Sequence, residues 1–81
     1  VKAETHAEPL ALAARDELIR ACRRFGPMHS PREAIAVIEE EFLELREHVY
    51  GNTGRSPAAM VEAIQLAAMA LRYALDLGGD A

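Results

Sequence analysis

Apolar residues recur at intervals of three and four along three stretches of this chain, and glycine and proline interrupt the pattern between them. The first stretch predicts a helix from about Pro9 to Phe25, with Leu10, Ala14, Leu18, Ala21, Cys22 and Phe25 on one stripe and Arg15, Arg20, Arg23 and Arg24 mostly on the other side. The second predicts a helix from Pro31 to about Tyr50, striped by Ile35, Ile38, Phe42, Leu45 and Val49. Its start carries the form of a capping box: Ser30 as N-cap, Pro31 at the first helical position and Glu33 at the third. Gly51 reads as a left-handed stop. The third begins with the same chemistry at Ser56-Pro57 and runs to about Leu77, before Gly78-Gly79. Met60, Ile64, Ala67, Ala68, Leu71 and Leu75 form its apolar face, and Glu62, Gln65, Met69, Arg72 and Asp76 form a separate polar line.

No segment alternates with the period of a strand, so the pattern predicts an all-α fold, roughly two-thirds helical against the usual third. The short loop from Gly51 to Arg55 makes the second and third helices antiparallel neighbours. Residues 1–81 read as one domain, a three-helix antiparallel hairpin bundle, with 1–8 and 78–81 as flexible ends.

Composition changes that picture in one respect. The hydrophobic share is 51%, but sixteen of those residues are alanine, and the chain has only 81 residues. A domain of about 60 residues hides only about 60% of its unfolded surface, and alanine adds little to that. A second copy is therefore expected to supply the missing wall, giving a dimer or tetramer of four-helix type. A single cysteine, Cys22, allows no internal disulfide and fits a reducing, cytoplasmic setting. No apolar run approaches the roughly 20 residues of a membrane span. A net charge of −4 argues against nucleic acid as the main partner, and no basic recognition helix supports a helix-turn-helix reading.

The acids are placed unevenly. At 100° per residue, Glu41 and Glu44 lie about 60° apart at the edge of the second helix's apolar stripe, with His48 between them in angle. Glu39 and Glu47 point to solvent, and Glu40 is intermediate. An antiparallel third helix would bring Glu62 level with this pair. Three carboxylates that close repel strongly unless a divalent cation neutralises them, and an all-oxygen donor set favours Mg²⁺ or Mn²⁺. A glutamate run is also what a plain solvated helix face looks like. Arg72 and Asp76, four apart, read as a surface ion pair.

Glu40-Glu41-x-x-Glu44, followed after 17 residues by Glu62-x-x-Gln65, resembles the signature of the MazG-like, all-α nucleoside triphosphate pyrophosphohydrolases. Phe25-Gly26-Pro27-Met28-His29-Ser30 and the text from Glu62 to Ala70 carry the same likeness, which covers about residues 18–77. The resemblance implies cleavage of a nucleoside triphosphate between its α and β phosphates by a dimer or tetramer. It implies Glu41, Glu44 and Glu62 as metal ligands with Gln65 at the fourth position, Mg²⁺ or Mn²⁺ as cofactor, and Glu40 as an accessory acid. Glu40 or Glu41 would then take the proton of the attacking water. Arg32, Arg55 and Arg72 are the basic residues expected nearest the triphosphate.

Two features depart from the family pattern. Position 65 is Gln where the family has Asp, which removes one negative charge from the cage. Three helices are also fewer than the four or more of a full family domain. A non-catalytic oligomer that binds nucleotide or a protein partner is therefore the alternative reading.

Overall fold

A computed structural model describes residues 1–79; Asp80 and Ala81, part of the expected C-terminal flexible end, lie outside the described residues. Three helices account for most of the chain: α1 (Lys2–Phe25), α2 (Pro31–Tyr50) and α3 (Pro57–Leu77). Among the described residues there is no strand. The fold is all-α, as the periodicity predicts.

The starts of α2 and α3 follow the local chemistry. The Ser30 hydroxyl accepts the Glu33 N–H at 3.1 Å, and the Ser56 hydroxyl accepts the Ala59 N–H at 3.1 Å. The Glu33 carboxylate reaches one residue further back than a standard capping box and accepts the His29 N–H at 2.9 Å. It thereby ties down the turn before the helix as well as its first coil.

Three boundary features differ from the sequence expectation. Helix α1 starts at Lys2, seven residues before Pro9, and runs through the proline. Residues 1–13 are all exposed, so water can take up the carbonyl that Pro9 leaves without a donor. At the end of α2 the left-handed residue is Asn52 (φ 63°), not Gly51, whose φ is −86°. The Thr53 N–H then reaches the His48 carbonyl at 2.8 Å, and the Asn52 N–H reaches that of Val49 at 3.2 Å. This is a Schellman motif with asparagine in the usual glycine place. Third, α3 is 21 residues long and contains an 18-residue window of mean hydropathy 1.3, so one helix does match a membrane span in length and composition. Only 22% of that window is buried against the other two helices.

Helix α3 is the centre of the molecule. Both α1 and α2 pack on it, and they do not pack on each other. Ala34, Val37 and Ile38 from early α2 meet Ala68, Met69 and Leu77 from late α3, so this pair is antiparallel. Ala13 and Asp16 of α1 line one pocket with Met60 and Ile64 of early α3, and Phe25 lies beside Arg72 of late α3, so these two run in the same direction. The result is a wedge: α1 and α2 are its walls and α3 its floor.

On α1 the apolar stripe is the packing face, with Ala14 and Ala21 buried and Leu18 and Cys22 half-buried, but on α2 and α3 only part of the stripe is used. On α3 the buried residues are Ala59, Ala68, Met69 and Arg72, which places much of the expected polar line inside. Leu71 and Leu75, from the expected apolar face, are exposed, Leu75 by 62%. On α2 only the Ile38–Leu45 edge of the stripe is half-buried; Phe42 is 51% and Val49 54% exposed. No large side chain is fully buried anywhere among the described residues. Fully burying one Phe, Leu or Val side chain contributes about 1.5–3 kcal/mol, so this outer surface leaves much stabilisation unused.

Candidate metal centre

Rotation of the α2 stripe toward solvent turns its acidic border toward α3. Glu41 and Glu44, one turn apart on α2, meet Glu62 from the second turn of α3, and one oxygen from each lies within 4.8 Å of the other two. All three side chains are half-buried. The sequence expectation that these three converge is met.

The electrostatics of the cluster are unfavourable as it stands. Burial, then the charges of Glu44 and Glu62, push the Glu41 carboxyl up to about 7. Glu62 is also raised, first by burial and then by hydrogen bonding to, and repulsion from, Glu44, while His48 acts in the opposite direction. One oxygen of Glu41 and one of Glu62 are buried without a hydrogen-bond partner. Leaving a buried polar atom unpaired costs on the order of 1–3 kcal/mol. A hard divalent cation fits this donor set: all ligand atoms are carboxylate oxygens, they converge from two rigid helices, and two of them lack any other partner.

The cluster borders a cleft of about 840 Å³ between the walls of the wedge. Glu40 and Glu41 line it from α2, Gln65 and Met69 from the floor, and Arg20 and Arg24 from α1. Gln65 therefore shares the cleft with Glu41, and its amide oxygen is a neutral donor where a carboxylate would add a charge. Glu40 is exposed at the same wall, free to meet a ligand or water.

The basic residues are distributed differently from the expectation. Arg32 and Arg55 are exposed on the surface and do not line the cleft. Arg72 does line it, but it is 5% exposed and committed elsewhere. Its Nη2–H donates to the Gly26 carbonyl at 2.6 Å, its Nε lies 3.8 Å from Asp76 Oδ2, and its guanidinium sits 5.8 Å from the centre of the Phe25 ring. Asp76 in turn accepts the Met28 N–H at 2.8 Å. The expected surface ion pair is thus a buried latch that fastens the α1–α2 turn to the end of α3. It needs Gly26, whose φ of 70° and ψ of −167° lie in a region open almost only to glycine.

Arg20 and Arg24 are the residues that periodicity misplaced. The pattern places them mostly on the far side of α1, yet they line the cleft, Arg20 paired with Glu17 and Arg24 stacked 5.0 Å from the Phe25 ring centre. The helical angle of Ala21, which is buried, was the available signal, because Arg20 and Arg24 flank it. His48 is half-buried on the same strip of α2 as Glu41 and Glu44, and its Nδ1 lies 2.9 Å from the Thr53 hydroxyl. No family model, no curated protein and no solved structure matches this chain.

Proposed function

We propose that this chain is a divalent-cation-dependent hydrolase of nucleoside triphosphates, releasing pyrophosphate and a nucleoside monophosphate. The observation that carries the reading is the convergence of Glu41, Glu44 and Glu62 within 4.8 Å, two of them with orphaned buried oxygens, beside an open cleft. The likeness of Glu40-Glu41-x-x-Glu44 and Glu62-x-x-Gln65 to the MazG-like signature names the substrate class.

In this reading Glu41, Glu44 and Glu62 hold the ion, with the Gln65 amide oxygen as a weaker fourth donor. A bound Mg²⁺ or Mn²⁺ would supply charge neutralisation of the polyphosphate and polarise water. Arg20 and Arg24 face the opposite side of the cleft and meet the remaining phosphate charge. Water adds to the α-phosphorus, the bond to the bridging oxygen breaks, and pyrophosphate departs. Glu40, exposed and not needed as a ligand, takes the proton that the water gives up. Arg72 contributes by holding the cleft's closed end rather than by touching phosphate.

A second copy of the chain belongs to the same proposal. Ile35, Phe42 and Val49, spaced by sevens, present a continuous apolar seam on α2, and Leu71 and Leu75 present another on α3. Two such surfaces packed together would give the four-helix assembly in which each wedge gains an outer wall.

The test is a panel of ribo- and deoxynucleoside triphosphates with Mg²⁺ or Mn²⁺, read as pyrophosphate release. Activity with at least one substrate, abolished by Glu41→Gln, is the expected result. Nucleotide binding by calorimetry with no turnover across the panel would favour the non-catalytic reading, for which Gln65 is the specific motive.

A further inference from the structure

His48 stands one turn beyond Glu44 on the strip of α2 that faces α3, and its ring is held from behind. The Thr53 hydroxyl lies 2.9 Å from His48 Nδ1 and 3.2 Å from the His48 carbonyl oxygen. A single hydroxyl satisfies both contacts in one way: it donates its proton to the carbonyl and accepts one from Nδ1–H. The opposite arrangement, a hydroxyl donating to Nδ1, would leave two oxygen lone pairs facing each other at 3.2 Å. Thr53 is itself fixed in place, because its N–H bonds the same His48 carbonyl at 2.8 Å in the Schellman turn set by Asn52.

In the neutral ring the proton then sits on Nδ1, and Nε2 carries the lone pair. That nitrogen lies on the side away from Thr53. His48 is four residues from Glu44 and half-buried on the same strip of α2, and Glu44 meets Glu62 of α3 there. His48 is not in the set whose donor atoms gather within 4.8 Å, which comprises Glu41, Glu44 and Glu62. A water between the ring and the carboxylates is the contact open to it.

Building on the cation-site reading above, we propose that His48 is a positioning residue of the carboxylate site. Thr53 locks its Nδ1–H tautomer, and its Nε2 accepts a hydrogen bond from a water bound among Glu41, Glu44 and Glu62. Groups that orient a metal site from behind typically change its affinity by about 10–100-fold when removed.

Two measurements test this on the full chain. The first uses nitrogen-15 correlation spectra of the histidine rings in the cation-free protein at pH 8, with His48 assigned by its loss in His48→Ala. The expected result is an Nδ1–H tautomer in the wild type that Thr53→Val abolishes and Thr53→Ser retains. An Nε2–H tautomer in the wild type overturns the proposal. The second is titration with Mn²⁺ alone, followed by calorimetry, on variants whose circular dichroism shows them folded. His48→Ala is expected to bind about tenfold more weakly and Thr53→Val several-fold more weakly, with Thr53→Ser near the wild type. Wild-type Mn²⁺ affinity in His48→Ala overturns the role of His48 while leaving the carboxylate site intact. If the wild type itself takes up no Mn²⁺, the carboxylate-site reading fails first, and this inference fails with it.

Discussion

The inside of the wedge and its outside have exchanged the roles that their residues would ordinarily take. Inside, Glu41, Glu44, Glu62, Gln65, Arg72 and Asp76 are half-buried or buried. Outside, Ile35, Phe42, Val49, Leu71 and Leu75 face solvent. Polar groups are costly to bury and apolar ones are costly to leave wet, so neither surface is at rest in a lone, ligand-free chain. The two imbalances have separate remedies. A cation would settle the inner one and a second copy the outer one, and each can be disturbed without the other.

Within the inner surface the two charged groups behave differently. Arg72 and Asp76 compensate each other and tie down the Gly26 carbonyl and the Met28 N–H, while the three glutamates carry like charges with no cation among them. Removing one member of the compensated pair should therefore have the largest effect on stability. Arg72→Ala is expected to cost about 3–5 kcal/mol by leaving Asp76 buried without its cation. Urea denaturation would measure it, and a loss below 1 kcal/mol would show that the latch does not hold the turn.

The outer surface should yield next. Phe42→Glu places a charge in the centre of the α2 seam and is expected to convert an associated species to monomer, read by light scattering after gel filtration. Because Phe42 is exposed while Glu41 and Glu44 turn toward α3, the monomer should retain its Mn²⁺ binding. Loss of both properties together would mean that assembly shapes the carboxylate site. Gly26→Ala forces a side chain into a backbone region nearly closed to it and should cost about 1–3 kcal/mol, again without touching the outer seam.

The smallest effect is the pH response of the three glutamates. Glu41 binds its proton more tightly in the folded chain, at about 7, than its ordinary value of 4.5. Its protonated form therefore favours folding, and that contribution is complete below about pH 4.5 and disappears as pH rises through 7. Glu62 shifts in the same direction. The cation-free protein should melt at a higher temperature at pH 5.5 than at pH 8, and Glu41→Gln should flatten the dependence. Saturating Mn²⁺ should stabilise the protein most at the higher pH, where the carboxylates are free of protons. A melting temperature indifferent to pH in the wild type would show that the cluster is solvated rather than strained. Gln65→Asp should steepen the dependence and tighten Mn²⁺ binding, since it adds one negative charge to the cleft.

Local chemistry was readable without coordinates. Ser30-Pro31 and Ser56-Pro57 mark the starts of α2 and α3 because hydroxyl caps and first-turn prolines act within four residues of the backbone they serve. The spacing of Glu41, Glu44 and Glu62 placed the carboxylate group correctly for a related reason. An edge position stays near the interface whichever way the helix turns by a modest angle. The arginines fared worse. Arg72 looked like a surface residue because its partner four residues on is normally a surface partner, and only the approach of the α1–α2 turn buries both. Arg20 and Arg24 enter the cleft because α1 and α2 stand apart on α3, an arrangement that no local pattern encodes.

From the chain alone follow three helices, their caps, an all-α fold and the acidic strip that borders a helix seam, since each depends on residues a few positions apart. On α1 the striped face turns inward, but which face of α2 and α3 does so was decided only in three dimensions. Alanine lines the contacts at Ala14, Ala21, Ala34, Ala59 and Ala68, and small side chains let helices approach closely there whatever the larger residues prefer. Close approach at the alanines carries the glutamates and Arg72 into the wedge and leaves the large apolar side chains outside it.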